Sequence, residues 1–366
     1  MVANNPLCIT DFWSASALGA GNAESAANLA ASTAPGMKLT GGDIPGRDVY
    51  FGNVETQLPG ISEPKDDFRS NQLLALAFGS MAKKIAELKA KYPPERIGVV
   101  LGASDTGVHE AQNFIFEWLE GGKKPDRFHF EMLELGSPAK YFASIAGLRG
   151  PAYSVSTACS SSAKAFASAR RLIYKGVCDA VIAGGVDSRC AFALNGFAAL
   201  GALSEGRCRP LSPDRDGINL GEAVALFSLE KDPEGAKARI LGVGETSDAY
   251  HATAPDPSGE GAAAAMRQAL DEARLSPENI SYVNLHGTGT VANDEMELKA
   301  VESVFGPSPR ALVESTKNLT GHCLGAAGAI EAAICIYRLQ ALGGGTALSN
   351  SFAFGGSNAS IIISVD

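Results

Sequence analysis

The sequence lacks the features that several large classes of protein require. It has no apolar run approaching the length of a membrane helix, about 18 residues, and Met1 to Phe12 has neither the basic start nor the apolar stretch of a signal peptide. Its 31 Lys and Arg residues against 40 Asp and Glu residues leave a formal charge of −9, which argues against broad binding of nucleic acid or an anionic membrane. We therefore expect a cytoplasmic protein with no membrane span and no nucleic-acid partner.

Patterns typical of metal sites and disulfide frameworks are missing as well. The seven cysteines are scattered, with no C-x-x-C pair and no Cys/His cluster at metal-ligand spacing. The sequence also has no G-x-S-x-G elbow, no phosphate-binding loop and no G-x-G-x-x-G between a strand and a helix. We therefore expect no metal and no cofactor, and hydrolase or nucleotide-dependent functions lose their usual support.

What is present indicates a two-part α/β protein. Hydrophobic residues make up 45% of the chain and charged residues only 19%, which excludes a disordered chain. Short apolar runs alternate with helical patterns, as in sheets buried on both faces. A weak internal repeat relates the segment Val155–Tyr174 to Val313–Tyr337. It predicts two halves of related topology, residues 1–235 and 236–366, with the boundary in Lys231–Gly235.

Cys159 is a candidate nucleophile because of where the pattern places it. The run Ala152–Thr157 reads as a buried strand and Ser160–Tyr174 as a helix, so Cys159 lies at the start of that helix. The N–H groups and the positive dipole end of a helix favour a thiolate, which is the reactive form of cysteine. A lone cysteine is more often a structural residue, so this setting alone leaves both interpretations open.

Two of the five histidines occur in glycine-rich turns. His286 ends a predicted strand and precedes Gly287–Thr290, and His322 lies in Thr320–Gly325 ahead of a helix rich in Gly and Ala. Ligands of α/β proteins bind where buried strands end. One cysteine with two histidines and no metal pattern indicates thiol chemistry, for which acyl transfer is the commonest use.

Four blocks of sequence resemble the signature motifs of the elongating β-ketoacyl-acyl carrier protein synthases, in the same order and at similar separations. The blocks are Ser156–Ser161, Asn284–Thr290, Ser315–His322 and Asn350–Asn358. A fifth segment, Arg215–Glu222, resembles another block of that family. The resemblance covers nearly the whole chain. It implies the thiolase fold, two pseudo-duplicated halves in a five-layer α/β/α/β/α sandwich, with the nucleophile in the N-terminal half and both histidines in the C-terminal half.

The resemblance also implies a role for each matching residue. Cys159 would hold the acyl group as a thioester, and His286 and His322 would donate hydrogen bonds to the malonyl thioester as CO₂ leaves. The N–H groups of Cys159 and Phe354 would form the oxyanion hole. Synthases that initiate chains have Asn in place of one histidine, and biosynthetic thiolases use a second Cys. The two-histidine set therefore favours decarboxylative elongation of a fatty-acid or polyketide chain.

Further residues match supporting positions of the same family. Lys317 and Glu297 match a charged pair that supports the two histidines, although an ordinary buried ion pair would also need both partners. Phe354, together with Phe352, matches a gate beside the cysteine, and Gly355-Gly356 would serve as its hinge. The alternative interpretation is that both phenylalanines are ordinary aromatic residues of the core.

Three departures from the family pattern bear on the substrate. The stretch Gly343–Ser349 is short where the family has a longer loop and a strand, so part of the surface near the site entrance would be absent. Ala353 stands where the family has Gly, which predicts a stiffer gate. Asp105, in the segment that bounds the acyl pocket of the family, is more polar than a long fatty chain requires. A polyketide or polyene substrate therefore remains open beside a fatty acyl chain.

The expected partners are an acyl carrier protein bearing acyl and malonyl groups and a second synthase-like chain. A homodimer is the usual assembly of the family, and a heterodimer with a related subunit is open. The alternative function is a chain-length-determining subunit, which usually lacks the nucleophile. The carrier is acidic, so we expect a local basic patch to bind it, although an ordinary solvated surface is an equal interpretation. The candidates are Lys65, Arg69, Lys123, Lys124 and Arg127.

Overall fold

The computed structural model describes residues 6–231 and 235–366. Within them the chain forms fourteen β-strands and ten α-helices, and short 3₁₀ turns join several of these. The strands are β1 Leu7–Ser16, β2 Gly19–Ala20, β3 Met37–Ile44, β4 Arg47–Gly52, β5 Ile97–Gly102, β6 Ala152–Val155, β7 Ala180–Asp187, β8 Leu220–Gly221, β9 Ala223–Lys231, β10 Ala238–Ser247, β11 Tyr282–Asn284, β12 Leu312–Glu314, β13 Gly345–Ala353 and β14 Ser357–Val365. The helices are α1 Asn22–Ala30, α2 Arg69–Lys91, α3 Val108–Gly121, α4 Ser137–Ala146, α5 Ser161–Tyr174, α6 Ala191–Ala199, α7 Glu260–Ala273, α8 Val291–Phe305, α9 Lys317–Thr320 and α10 Ala327–Leu342.

The large sheet is built from two sets of five strands with the same pattern of pairing. In the first set, β6, β5 and β7 are parallel neighbours, β9 is antiparallel to β7, and β1 pairs antiparallel with β9 and so runs in the direction of the first three. In the second set, β12, β11 and β13 are parallel, β14 is antiparallel to β13, and β10 pairs antiparallel with β14 and so runs in the direction of the first three. Among the described residues, three pairs, Leu7–Ile9 against Ala238–Ile240, join the two sets. The molecule thus repeats one topology twice.

Alternating side chains of the buried strands divide the core into layers. In β7, Val181 and Ala183 belong to the central core, whereas Ala180 and Ile182 belong to the core beneath α2 and α4. The second set behaves in the same way, since its outer face packs on α7 and α8. Helices α5 and α10 fill the space between the two sets. The result is the predicted five-layer α/β/α/β/α arrangement.

The two central helices begin near the same point because small residues let them approach. Helix α10 is almost entirely buried, as expected for a helix that is apolar on all sides. A Cβ on Gly328 would lie 2.8 Å from the backbone nitrogen of Ala163 in α5. A Cβ on Gly185 of β7 would lie 2.7 Å from Ser162 and 3.0 Å from the backbone of Ala326. Glycine at these places brings the N-termini of α5 and α10 together.

The structure corrects one expectation about the C-terminal segment. Helix α10 ends at Leu342, and Gly343 and Gly344, both at positive φ, turn the chain directly into β13. The short stretch before Asn350 therefore contains a strand, which we expected to be missing. Of the predicted boundary Lys231–Gly235, residues 232–234 lie outside the described residues, so the division into residues 1–235 and 236–366 stays a prediction. Among the described helices, none combines the length and the hydropathy needed to cross a bilayer.

Candidate active site

Cys159 lies in a tight turn between β6 and α5. The strand ends at Val155, earlier than predicted, because the chain turns through Ala158 at a φ of +51°. The hydroxyl of Ser161 accepts a hydrogen bond from the backbone of Thr157 at 2.9 Å and donates one to the carbonyl of Ala158 at 2.6 Å. These bonds hold the turn that presents the cysteine, whose side chain is buried.

His286 is held by its backbone at the end of β11. Glu297, fully buried in α8, accepts hydrogen bonds from the backbone N–H of His286 at 2.8 Å and of Gly287 at 2.7 Å. Asn350 of β13 donates to the same carboxylate at 3.1 Å. Glu297 therefore fixes the loop from which the imidazole projects, with no contact of its own to the ring among the described hydrogen bonds.

His322 enters the site from the turn between α9 and α10. Gly321 has a φ of +70°, and a Cβ there would lie 2.5 Å from the carbonyl oxygen of Leu220. The backbone N–H of His322 donates to the carbonyl of Asn219 at 2.7 Å. These contacts direct the ring so that Nε2 lies 3.0 Å from the sulfur of Cys159.

The three residues form one buried cluster. One nitrogen from each histidine and the sulfur of Cys159 lie within 4.8 Å of one another. The rings of His286 and His322 meet edge to face with centroids 5.2 Å apart, and Phe352 packs on His286 at 6.2 Å. The structure thus brings together residues separated by 163 positions in the chain.

Lys317 differs from the prediction in its partner. Its ammonium group pairs with Glu331 of α10, not with Glu297, and both side chains are buried. The same group donates to the carbonyl of His286 at 2.5 Å and lies 3.5 Å from its Nδ1. Because an ammonium group can only donate, this Nδ1 accepts, and the proton of His286 is assigned to Nε2. Sequence reasoning missed Glu331, whose only signal is a carboxylate within an apolar helix.

Charge and burial keep both histidines neutral. Burial holds the pKa of His286 well below its usual range, and the charge of Lys317 and the neighbouring His322 add to this. Burial and Lys317 likewise lower the pKa of His322. Two neutral imidazoles can donate hydrogen bonds to an oxygen that becomes negative, without supplying a full charge themselves.

The cysteine departs from the expected thiolate. Burial raises the pKa of Cys159 to about 12, although the charge of Lys317 and the backbone N–H groups of Phe354 and Cys159 oppose this rise. Desolvation thus outweighs the start of the helix, which begins two residues further on. The same two N–H groups are the pair predicted to form the oxyanion hole, and that role stays a prediction.

Two cavities meet at Cys159. One, of about 270 Å³, has both histidines in its wall together with polar groups that include Thr288, Thr290 and Asn293. The other, of about 290 Å³, is lined mainly by apolar residues of α6 and by Asp105. We refer to them as the histidine cavity and the acyl cavity. A group on the sulfur can enter the second cavity while a second molecule occupies the first.

Phe354 stands between the two cavities and lines both. Its side chain is 39% exposed and packs on Phe197 with ring centroids 5.7 Å apart, whereas Phe352 is buried. Gly355 and Gly356 follow at positive φ, and the N–H of Gly355 donates to the carbonyl of Ala252 at 2.8 Å. The position of Phe354 fits the predicted gate, and Phe352 is a wall beside His286.

The five predicted carrier-binding residues do not share one environment. Arg69 makes two hydrogen bonds with buried Glu222, at 2.6 and 2.5 Å, so its charge is used inside the protein. Lys124 donates to the carbonyl of Phe128, and Arg127 lies 3.8 Å from Glu117 with most of its side chain exposed. Lys65 and Lys123 are exposed. Arg69 therefore contributes little to any surface patch.

A duplicated α/β/α/β/α fold with a buried thiol, two neutral histidines and two N–H donors defines a thiolase-fold acyltransferase. The comparisons with known proteins name the family. Residues 38–234 match the model "Beta-ketoacyl synthase, N-terminal domain" and residues 237–342 match "Beta-ketoacyl synthase, C-terminal domain". The chain belongs to the β-ketoacyl synthase family, whose members are condensing enzymes. This confirms the family, fold and enzyme class predicted from the sequence.

Individual relatives agree with this assignment. Nodulation protein E of Rhizobium leguminosarum bv. trifolii is 35% identical over 79% of this chain and 76% of its own length. The 3-oxoacyl-[acyl-carrier-protein] synthase 2 of Rhizobium meliloti (strain 1021) is 41% identical, over 59% of this chain and 61% of its own length.

Solved structures match over greater lengths. The complex of the ketosynthase ApeO with its chain length factor ApeC from Xenorhabdus doucetiae matches with 37% identity and a TM-score of 0.93, over 99% of this chain and 98% of the matched one. The ishigamide ketosynthase/chain length factor matches with 25% identity and a TM-score of 0.89, over the full length of both chains. The short connection before β13 therefore leaves no large deficit relative to these two structures.

Proposed function

We propose that this protein elongates an acyl chain by decarboxylative condensation, using acyl and malonyl groups that an acyl carrier protein delivers. The observation that carries the proposal is the cluster of Cys159, His286 and His322, whose reactive atoms lie within 4.8 Å. The two cavities that meet at the sulfur support it, because the reaction needs an acyl group and a malonyl group at one place.

In the first half-reaction Cys159 attacks the acyl thioester of the carrier. A carbon–sulfur bond to Cys159 forms, the bond to the carrier sulfur breaks, and the thiol proton ends on the departing carrier. The N–H groups of Cys159 and Phe354 hold the transient oxyanion. With its proton on Nε2, His322 donates to the sulfur at 3.0 Å and lowers the cost of its negative charge.

In the second half-reaction the malonyl group loses CO₂ in the histidine cavity. The electron pair of the broken carbon–carbon bond moves into the thioester as an enolate, and Nε2 of His286 and of His322 donate to its oxygen. The enolate carbon then attacks the acyl carbon on Cys159, and the cysteine sulfur leaves as a thiolate that takes up a proton from solvent. Because both imidazoles are neutral, they stabilise the enolate without protonating it fully.

A synthase-like second chain is part of this proposal. Two of the similar structures are complexes of a ketosynthase with a chain length factor. The wall of the acyl cavity includes Phe192, 68% exposed in the single chain, and Leu200, 54% exposed. A partner chain that covers these side chains would close the cavity, so a heterodimer accounts for them as well as a homodimer does. We further propose the cytoplasmic location expected from the sequence, which agrees with cysteines that form no disulfide bond among the described residues.

The test incubates the purified protein, with any chain that copurifies, with acyl and malonyl carriers. We expect release of CO₂ and a carrier mass that corresponds to the 3-oxoacyl product. Cys159→Ala should abolish that product. Condensation by this variant at the wild-type rate would contradict the proposal. Failure of iodoacetamide to label Cys159, together with no condensation, would favour the alternative of a chain-length-determining subunit.

A further inference from the structure

The acyl cavity contains a carboxyl group that the reaction does not use. The wall of the cavity is formed largely by Ala, Gly, Leu and Phe residues and includes Cys159. The exceptions are Ser104 and Asp105, which follow β5. Most of this wall suits a hydrocarbon, so an acidic side chain within it requires an explanation.

The neighbouring polar groups are already satisfied. The hydroxyl of Ser104 donates to buried Asp187 at 2.9 Å. The same carboxylate accepts from the backbone N–H groups of Ser104 and Asp105 and from that of Gly325 at 2.7 Å. Asp187 thereby ties the loop after β5 to the segment after His322. Its role is structural, and it leaves no donor for the side chain of Asp105.

Asp105 itself is left without a partner. Its Oδ2 is buried and makes no hydrogen bond with any described residue. The backbone holds the loop without the side chain, since the carbonyl of Asp105 accepts from the N–H of Val108 at 3.0 Å. An unpaired buried polar atom costs free energy, and an acyl chain of pure hydrocarbon would leave that cost in place.

The protonation state of Asp105 decides what it can recognise. Burial and the nearby Asp187 raise the pKa of Asp105 well above its usual range. The shift favours the carboxylic acid over the carboxylate, and a carboxylic acid both donates and accepts hydrogen bonds. An alcohol oxygen matches these two functions, whereas a saturated hydrocarbon matches neither.

We propose that Asp105 is a specificity-determining residue that selects acyl groups bearing a hydroxyl over unsubstituted chains of the same length. The inference rests on the proposed function, because it requires an acyl group on Cys159. It follows from the shared cavity and from the unpaired Oδ2. Sites built to bind a substrate hydroxyl discriminate strongly against the analogue that lacks it, because their own polar group is then unpaired.

The test compares acyl carriers in pairs. Each hydroxyacyl carrier, with the hydroxyl at successive carbons across the panel, is matched with the unsubstituted carrier of equal length, and kcat/KM for condensation is measured for both. We expect the wild-type protein to prefer one hydroxyacyl position by about tenfold or more. Asp105→Asn keeps hydrogen bonding and should retain most of the preference. Asp105→Leu should abolish it, mainly because the unsubstituted chain reacts faster.

Ser104→Ala is the matched control, since it alters the other polar side chain of the cavity and should leave the ratio unchanged. If the wild-type protein shows equal kcat/KM for the two carriers of every pair, the inference is overturned, and no variant is needed for that result. An unchanged ratio in Asp105→Leu overturns it as well. In both cases the proposed function stands, because condensation is still observed. If wild-type protein forms no acyl-Cys159 from any carrier, the proposed function fails and this inference with it.

Discussion

At the scale of single residues, the site works through groups that burial keeps uncharged. Cys159 is a neutral thiol at rest, and the histidines are neutral imidazoles. The buried cation of the site, Lys317, carries the electrostatic effect, because it lowers the pKa of all three. Its own charge is balanced by Glu331. The nucleophile and the decarboxylation machinery are thus electrostatically coupled through one ion pair.

The role of Cys159 can be separated from that of the histidines. Cys159→Ala removes the sulfur and leaves His286 and His322 in place, so we expect no acyl-enzyme but continued CO₂ release from malonyl carrier. Mass spectrometry of the protein and a CO₂ assay measure the two outcomes. Cys178→Ala, at the far end of α5, should retain acylation. Loss of CO₂ release in Cys159→Ala, with the fold intact, would show that decarboxylation needs the sulfur.

The ion pair between Lys317 and Glu331 predicts that a second substitution restores stability but does not restore catalysis. Lys317→Met leaves Glu331 buried and unpaired, which should lower the free energy of unfolding by about 3–5 kcal/mol. Adding Glu331→Gln removes the stranded charge and should restore most of that loss. Decarboxylation should stay low in the double variant, because Nδ1 of His286 has lost its donor. Denaturant unfolding and the CO₂ assay provide the two measurements; recovery of both together would contradict this role.

The lowered pKa values of His286 and His322 predict that the rate of CO₂ release changes little as the pH falls below neutrality. A base with a lowered pKa stays neutral to lower pH, so CO₂ release should show no fall near pH 6.5, the ordinary value for histidine. In Lys317→Met/Glu331→Gln one cause of the lowering is gone, and the fall should move to higher pH. A wild-type midpoint close to 6.5 would contradict neutral, buried imidazoles.

At the scale of elements, the site depends on how closely α5 and α10 approach. Cys159 precedes α5 and His322 precedes α10, so the distance between these helix starts sets the 3.0 Å contact of sulfur and Nε2. Glycine has a second use here besides the turns that hold His286 and His322. Gly185 lies inside a strand and Gly328 inside a helix, and there glycine serves close packing instead.

A side chain at Gly328 should therefore separate the two catalytic groups. We expect Gly328→Val to lower the free energy of unfolding by about 1–3 kcal/mol and to slow alkylation of Cys159 by more than this destabilisation explains. Gly79→Ala is the matched control: it lies on the exposed face of α2, has no atom within 4 Å of the added Cβ, and should stabilise by about 0.5–1 kcal/mol. Unchanged alkylation in folded Gly328→Val would refute this coupling.

The sequence motifs were enough to predict that Cys159, His286 and His322 act together, because each lies in a block that resembles a signature of the same family. The partner of Lys317 was not predictable from the sequence. The family resemblance indicated Glu297 as the carboxylate that pairs with Lys317, whereas Glu331, which forms the pair, belongs to a different helix. The sequence also indicated the wrong protonation state for Cys159, since the start of a helix favours a thiolate. A helix terminus is visible in the sequence, whereas the depth of burial that raises the pKa of Cys159 exists only once the layers pack.

At the scale of the whole molecule, the net charge of −9 limits where an acidic carrier protein can bind. An acidic partner can bind only where cations outnumber acidic groups locally. Because Arg69 is paired inside the protein, the candidate cations that remain together are Lys123, Lys124 and Arg127, which lie with Asp126 in the segment after α3. Helix α3 contacts α6, which lines the acyl cavity, so this segment follows a helix that packs on the wall of that cavity.

Charge reversal at this segment should weaken carrier binding and leave the chemistry intact. We expect Lys124→Glu/Arg127→Glu to raise KM for acyl carrier while kcat/KM for a small acyl thioester is unchanged, because the small substrate needs no protein surface. The rise should diminish at high salt, which screens the same attraction in the wild-type protein. Lys83→Glu/Lys175→Glu makes the same change in net charge on other exposed faces and should leave KM unaltered. Equal effects of the two double variants would mean that net charge, not this segment, governs the encounter with the carrier.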